Sequence, residues 1–275
     1  MKVILSRKGF DSSVGGHANP ILPDGTMISL PIPSDLDSID YDSLPAPGGR
    51  TIAGIIGELD AGAKIGGKGA HADPDLIAGA RKRGAGWLPS LGQIGSASGH
   101  LRNQGVQVGD LFLFYGWFRH TEEIDSRLRF RTDCPEYHAI YGYLQVGDII
   151  CANNLVDLPE WLQDHPHANQ KRLAKPTNVI YVASKSLGSD AGVQGAGVFK
   201  FRDALILTKL GFSRSRWSLD PKLFRHLQIS YHTDNSWKED YFQSYPRAQE
   251  YVINADEPVV RWTHKLIKGS QRWEL

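Results

Sequence analysis

Two segments that are apolar on both faces constrain this fold more than any other feature of the sequence. The first is Gly-Asp-Leu-Phe-Leu-Phe-Tyr-Gly-Trp-Phe at residues 109–118, and the second is Tyr-His-Ala-Ile-Tyr-Gly-Tyr-Leu-Gln-Val-Gly-Asp at residues 137–148. Aromatic and β-branched residues favour strands. A strand with two apolar faces must be covered on both sides. We therefore predict two antiparallel neighbours at the centre of one sheet, with Phe112, Phe114 and Tyr141 buried.

The composition indicates a globular chain that can bury a full core. Of its 275 residues 41% are hydrophobic and 22% are charged, and the formal net charge is +1. So small a charge excludes a general attraction to nucleic acid or anionic lipid, and any polyanion site must be a local patch. The only cysteines, Cys134 and Cys151, cannot build a disulfide framework, which favours a cytoplasmic location. No run of about eighteen apolar residues occurs, so no membrane partner is expected.

The order of predicted elements gives the α+β class, with a β-rich centre and peripheral helices. We predict a single domain over residues 1–275, with its β-rich core at about 87–210 and a C-terminal α+β extension at about 211–275. The sheet is expected either to close into a barrel or to form a strongly bent mixed sheet. Asp256 can cap a helix in the extension, in which Val259, Trp262 and Leu266 would share one face and which Gly269 would end. Residues 33–50, rich in proline and aspartate, are expected to form a loop or flap.

The sharpest short cluster is His-Ala-Asp-Pro-Asp at residues 71–75. His71 and Asp73 can supply two of the three ligands of a facial triad for a divalent metal, and a distant histidine would complete the triad. In a competing interpretation, Asp73 caps a short helix that starts at Pro74, and Asp75 is a first-turn acid. His71 is expected near the functional site in both cases.

A loop after the first predicted strand is a candidate anion site. It carries Lys8, Asp11 and Ser12 and is followed by two glycines. A lysine and hydroxyl groups on a glycine-flanked loop at a strand end can hold phosphate. The competing interpretation is a polar turn.

Residues 93–104 lead into the first aromatic strand and form a second candidate loop. Their small residues let a ligand approach the backbone closely. Donors and acceptors able to read the edge of a base are supplied by Gln93, Ser96, His100 and Gln104. The competing interpretation is a capped, glycine-loosened turn.

The central strands bring further polar and aromatic groups toward these loops. Tyr115 is a candidate ligand contact. His138 joins His71 and His100 as candidates for the histidine that moves a proton in catalysis. A buried histidine that only satisfies a core hydrogen bond is the alternative.

Three arginines at alternate positions, Arg127, Arg129 and Arg131, would share one face of a strand. That spacing suits contacts with successive phosphates of a nucleic acid. A solvated strand face is the alternative.

Several segments together resemble a known family. They are Lys-Val-Ile-Leu-Ser-Arg-Lys-Gly-Phe-Asp-Ser at 2–12, Pro-Ile-Leu-Pro-Asp-Gly at 20–25, His-Ala-Asp-Pro-Asp-Leu at 71–76, residues 93–104 and Gly-Asp-Leu-Phe-Leu-Phe-Tyr-Gly at 109–116. Nearly the whole chain resembles the third type of nucleotide modification associated domain. That resemblance implies a role in phage and bacterial systems that make or handle modified DNA bases. It also implies that a nucleotide or DNA, and other base-modification enzymes, are partners.

The central strands are separately similar in topology to PUA-like barrels such as the EVE and ASCH domains, which read modified bases. This second resemblance implies a barrel and a non-catalytic function. In such a reader, Tyr115 and Trp117 would stack on a flipped base.

Three functions are therefore open. The first is a protein that binds and modifies a nucleotide or base, in which Lys8 holds phosphate, Gln93 and Gln104 orient the base, and a histidine moves the proton. The second is the PUA-like reader. The third is a mononuclear iron oxygenase that uses the His-x-Asp motif at 71–73 and a distal histidine, with a divalent metal as cofactor. The sequence leaves open whether the protein is an enzyme.

Overall fold

The computed structural model describes residues 1–59, 65–188, 190–245 and 248–275. The strands in these ranges are β1 (Lys2–Arg7), β2 (Asn19–Ile21), β3 (Ile32–Ser34), β4 (Pro45–Ala46), β5 (Arg50–Thr51), β6 (Gly69–His71), β7 (Ser90–Gln93), β8 (Leu111–Ile124), β9 (Arg127–Phe130), β10 (Tyr137–Cys151), β11 (Val179–Ala183), β12 (Ser186–Leu187), β13 (Asp190–Gln194), β14 (Ala196–Val198), β15 (Arg216–Trp217), β16 (Phe242–Gln243) and β17 (Glu250–Asn254). The helices are α1 (Ile52–Leu59), α2 (Gly95–Asn103), α3 (Gln170–Leu173), α4 (Pro221–Phe224) and α5 (Glu257–Lys268). None of the described helices has the length and apolar character needed to cross a membrane.

The two aromatic segments form the central strands β8 and β10. They pair antiparallel, with Leu113 opposite Tyr143 in the register. Phe112 and Phe114 are fully buried, and Tyr141 is 2% exposed. The prediction of two buried neighbours in one sheet is confirmed, because strands that are apolar on both faces are stable only where other elements cover both faces.

The central sheet is mixed and open. Its strands run in the order β17-β1-β8-β10-β11-β7, and β2, β9 and β14 pair with strands of this path. β1 lies parallel to β8, whereas the other neighbours along the path are antiparallel. In the described part of the chain the end strands β7 and β17 do not pair with each other. The α+β class with a mixed sheet is confirmed, and the closed, PUA-like barrel is wrong because these two end strands do not join.

Helix signals in the sequence were reliable only where a cap and a periodic apolar face occur together. In α5 the Asp256 side chain accepts a hydrogen bond from the N–H of Val259, and Gly269 ends the helix, as predicted. Residues 93–104 form the end of β7 and helix α2 instead of a turn. No helix begins at Pro74, because the chain there makes only a bridge to β7 and a later 3₁₀ turn (Ala78–Ala80).

Residues 33–50 are packed against the fold, contrary to the loop prediction. This segment contains β3, β4 and short 3₁₀ turns, and it buries Tyr41, Leu44 and Ala46 in the main apolar cluster. β3 pairs with β6. The segment thereby brings Asp37 beside His71, as described below.

A turn-rich segment between β10 and β11 packs on the outer part of the sheet. Leu158 and Leu162 of this segment form a second apolar cluster with Ile180 and Val182 of β11. The packing fixes a 3₁₀ turn (Pro166–Ala168) close to β7, and this turn supplies a histidine to the site.

Candidate functional site

A cavity of about 200 Å³ opens where the loop after β1, the ends of β6 and β7, and the residue before β17 meet. Residues predicted for ligand or metal binding that line it are Lys8, Asp11, His71, Asp73 and Gln93. Further polar residues in its wall are Arg7, His167 and Gln249. The structure therefore brings together candidates that the sequence had placed on three separate loops.

His71 is the last residue of β6, and a buried ion pair holds its ring. Its Nδ1 lies 3.0 Å from Oδ2 of Asp37, and Arg172 donates to both oxygens of that carboxylate at 2.7 Å. Burial alone would raise the pKa of Asp37, but hydrogen bonds from His71 and Arg172 hold it well below its usual range. The ionised carboxylate accepts the Nδ1 proton, and the lone pair of a neutral ring is then on Nε2.

Asp73 lies just after β6 with its side chain 3% exposed. Oδ1 accepts a hydrogen bond of 2.7 Å from the N–H of Gly92 and lies 3.3 Å from Nε2 of His165. Oδ2 lies 3.9 Å from Nε2 of His71. Burial alone would raise the pKa of Asp73, but His165 and the other nearby histidine rings hold it well below its usual range. Asp73 is thus an ionised group of the site, and the helix-cap interpretation is wrong.

His167 enters the cavity from the 3₁₀ turn (Pro166–Ala168). Its Nδ1 lies 2.7 Å from Oδ1 of Asn178, and Nδ2 of that amide donates to the carbonyls of Ala152 and His167. Since Nδ2 is committed as a donor, Oδ1 must accept, so Nδ1 of His167 carries the proton and Nε2 has the lone pair. Burial lowers the pKa of His167 to about 3, which keeps the ring neutral at neutral pH.

One ligand atom from each of His71, Asp73 and His167 lies within 4.8 Å of the other two, an arrangement that can hold a metal ion. Two imidazole nitrogens and one carboxylate oxygen form the donor set of a facial triad, which suits Fe(II) and similar divalent ions. Ligands about 2.1 Å from one ion stand roughly 3 to 3.4 Å apart. The 3.9 Å between His71 and Asp73 therefore requires a small closure of the side chains on binding.

His165 supports this cluster from outside. Its Nδ1 accepts a hydrogen bond of 3.1 Å from the N–H of His167, so the proton of a neutral ring is on Nε2, which faces Asp73. The N–H of a neutral His165 ring therefore faces the Asp73 carboxylate at 3.3 Å, and its lone pair is already used.

Four residues of the two candidate loops lie outside this cavity. Ser96 and His100, on α2, line a neighbouring cleft that shares Gln249 with it. There, Nε2 of His100 lies 3.0 Å from Oγ of Ser230. Gln104 is the C-terminal cap of α2, and Ser12 is exposed on its loop.

Tyr115 and His138 belong to the aromatic core. Tyr115 is 1% exposed and packs edge-to-face on Trp217. Nδ1 of His138 accepts a hydrogen bond of 3.2 Å from the indole N–H of Trp217, and burial lowers the pKa of His138 to about 3. The ring of Trp117 has the Arg214 guanidinium 3.6 Å from its centre. Both aromatic rings predicted to stack on a base are therefore covered by other side chains, Tyr115 by Trp217 and Trp117 by Arg214.

The three arginines lie on or after the β8–β9 hairpin, away from the cavity. Arg127 and Arg129 are exposed on β9, and the register sets Arg129 opposite Glu122. Arg131 follows the strand and donates twice to the Asp133 carboxylate, at 3.0 and 2.7 Å. Their contact with phosphate stays a prediction.

Sequence reasoning missed the groups that complete and support the site. The signal for the missing histidine was His-Pro-His at 165–167, two imidazoles on either side of a residue that favours a turn. No local pattern indicated Asp37 and Arg172, because they are 135 residues apart in the chain and acquire their role only by meeting each other and His71.

Comparison with known proteins adds one finding. Residues 2–254 match the family described as nucleotide modification associated domain 3. No curated protein and no solved structure matches the chain.

Proposed function

The chain belongs to the nucleotide modification associated domain 3 family, and on that premise we propose that it is a metal-dependent enzyme that modifies a nucleotide or a nucleic-acid base. The proposed metal ligands are Nε2 of His71, a carboxylate oxygen of Asp73 and Nε2 of His167. The proposal joins the modification function with the metal centre that the His-x-Asp motif predicted.

The observation that carries this proposal is the way both ligand histidines are held. The Asp37 carboxylate accepts a hydrogen bond from Nδ1 of His71, and the Asn178 side-chain carbonyl accepts one from Nδ1 of His167. Metal-binding histidines usually have such a partner on the second ring nitrogen, which sets the tautomer and the ring orientation. One ring nitrogen of each histidine belongs to a small group of atoms that also includes an ionised carboxylate.

The same cavity offers groups suited to a nucleotide. Arg7 and Lys8 carry positive charge in its wall, and Gln93 and Gln249 carry amides. Guanidinium and ammonium groups bind phosphate, whereas amides pair with the edges of bases. A divalent ion bound by three protein ligands would supply open positions that polarise a substrate oxygen or activate water or dioxygen.

Metal titration of the full-length chain tests the proposal. Protein stripped with a chelator is titrated with Mn²⁺, and with Fe²⁺ under anaerobic conditions. We expect one equivalent per chain, and binding in Asp73→Asn and His71→Gln weakened by at least roughly tenfold to hundredfold, the cost of losing a group that only supports a ligand. Asparagine keeps an acceptor for the N–H of Gly92, so that variant removes the charge without removing the hydrogen bond that anchors the loop.

The matched control is His100→Gln, in the neighbouring cleft, which should bind metal like the wild type. Equal metal affinity in all variants would contradict the proposed centre.

An activity assay tests the second part of the proposal. The metal-loaded protein is incubated with deoxynucleotides and with short DNA, and the masses of the products are measured by mass spectrometry. A metal-dependent change in mass supports an enzyme, and nucleotide binding that is indifferent to metal, without a product, would favour the reader.

A further inference from the structure

Lys8, Gln93 and Glu250 form a second polar cluster between this cavity and the neighbouring cleft, whose wall includes Glu250. Lys8 follows β1, Gln93 ends β7 and Glu250 begins β17. The side chain of Glu250 is 1% exposed and that of Lys8 is 11% exposed. Lys8 and Gln93 line the cavity that contains the candidate metal ligands. A buried carboxylate thus has its partners on the cavity wall.

Two donors converge on one oxygen of Glu250. Nζ of Lys8 lies 3.0 Å from Oε1, and Nε2 of Gln93 donates to the same oxygen. Burial raises the pKa of Glu250, and the positive charge of Lys8 opposes this rise. Paired with an ammonium group, the carboxylate acts as an acceptor, so the amide of Gln93 must turn its NH₂ toward it. Glu250 therefore fixes which end of the amide faces the ligand.

We infer that Gln93 accepts a hydrogen bond from an exocyclic amino group on the edge of the substrate base through its carbonyl Oε1. The inference rests on the proposed function, because it assumes that the cavity binds a nucleotide. The two ends of a planar amide point apart, and the NH₂ end is held by Glu250. The carbonyl is thus the end that Gln93 offers to a ligand.

An acceptor at this position selects between classes of base. Adenine and cytosine carry an exocyclic amino group that can donate to Oε1. Hypoxanthine and uracil carry a carbonyl at the corresponding position, which would set two acceptors against each other. Because Gln93 is 5% exposed, water can hardly relieve that mismatch. An unpaired buried group of this kind weakens binding roughly tenfold to hundredfold.

The position of Gln93 also ties base reading to the candidate metal centre. The preceding residue, Gly92, donates its N–H to the Asp73 carboxylate at 2.7 Å. Gln93, which would hold the base, is therefore adjacent on β7 to Gly92, the residue whose N–H holds the proposed metal ligand Asp73. Gln93 is a specificity-determining residue in this arrangement, and Glu250 is a positioning residue that acts through it.

Equilibrium binding of four deoxynucleotides tests the inference. The full-length, metal-loaded chain is titrated with dAMP, dIMP, dCMP and dUMP. In the wild type we expect at least one amino-bearing nucleotide to bind tenfold or more tightly than its carbonyl counterpart. Gln93→Ala should bring that ratio close to one. Glu250→Ala should do the same, since the Gln93 amide then loses the acceptor that holds its NH₂ end and can turn around. Gln104→Ala at the end of α2 is the matched control that keeps the ratio.

Metal content and melting temperature are measured for every sample. Loss of the preference in folded Gln93→Ala protein that still holds its metal supports the inference. Equal affinities in the wild type, no binding of any of the four nucleotides, or an unchanged preference in Gln93→Ala would overturn it. A base preference in wild-type protein that itself binds no metal would uphold the role of Gln93 and contradict the proposed metal-dependent function.

Discussion

Replacing Gly92 by alanine should disrupt the candidate metal centre while leaving the sheet assembled. Gly92 lies on β7 opposite Ile180 of β11, and its N–H binds Asp73. A Cβ atom on Gly92 would lie 2.1 Å from Cδ2 and 2.2 Å from Cγ of His167. Carbon atoms in ordinary contact are about 3.5 to 4.0 Å apart. The ring of His167 must therefore move by more than about 1 Å, or β7 must shift.

The size of the effect follows from these two responses. Displacing one ligand ring should weaken metal binding by at least roughly tenfold to hundredfold, the cost of losing a single supporting group. Overpacking a buried site costs about 1–3 kcal/mol. For a chain of this size each kcal/mol lowers the melting temperature by about 2–4 °C, so we expect a decrease of about 2–12 °C.

Calorimetric metal titration and thermal unfolding by circular dichroism measure both quantities. The matched control is Gly99→Ala in α2, because a Cβ atom there meets nothing within 4 Å. Alanine is the better helix former by about 0.5–1 kcal/mol, so this control should be as stable as the wild type or more stable. Wild-type metal affinity and melting temperature in Gly92→Ala would refute the packing of His167 against β7 and the metal centre with it.

Three further predictions concern other parts of the molecule. Asp37→Asn should weaken metal binding roughly tenfold to hundredfold in the same titration, because it removes the carboxylate that orients His71; unchanged affinity would leave Asp37 with a structural role alone. Burial lowers the pKa of His138 to about 3, so the unfolded chain takes up a proton below about pH 6.5 that the folded chain does not, and stability falls as the pH is lowered through this range. The melting temperature of His138→Gln should accordingly decrease less between about pH 6.5 and 4.5 than that of the wild type, and parallel curves would contradict this. Neutral substitutions of the arginines at 127, 129 and 131 should reduce the slope of log K for DNA binding against log salt concentration. The reduction should equal about two phosphate contacts instead of three, because Arg131 is already paired with Asp133. An unchanged slope would assign the three arginines to a solvated face.

Local signals in the sequence were sufficient for the centre of the fold and for its last helix. The aromatic runs of β8 and β10 predicted buried, antiparallel neighbours because their side chains require cover on both faces. Helix α5 was predictable because Asp256, the apolar face and Gly269 lie within one short segment. Lys8, His71, Asp73 and Gln93 were recognised as functional candidates from residue type and loop position alone.

The tertiary structure decided the role of Asp73. Asp-Pro is compatible with a helix N-terminus, so the local pattern left a helix cap and a metal ligand as competing interpretations. The outcome depended on the N–H of Gly92, 19 residues along the chain, and on His165, which no local pattern connects to this loop. Both partners come from elements that meet Asp73 only after the sheet has formed.

Residue type and spacing therefore determined which strands are buried and which side chains are chemically able to act, because these depend on neighbours in the chain. The choice of His167 over His100 or His138 as the third member of the cluster was made by packing. The apolar contacts of the turn-rich segment before β11 and the Asn178 amide set the position and tautomer of the His167 ring. A histidine becomes a metal ligand only when its lone pair is aimed at other donors, and contacts between distant segments determine that direction.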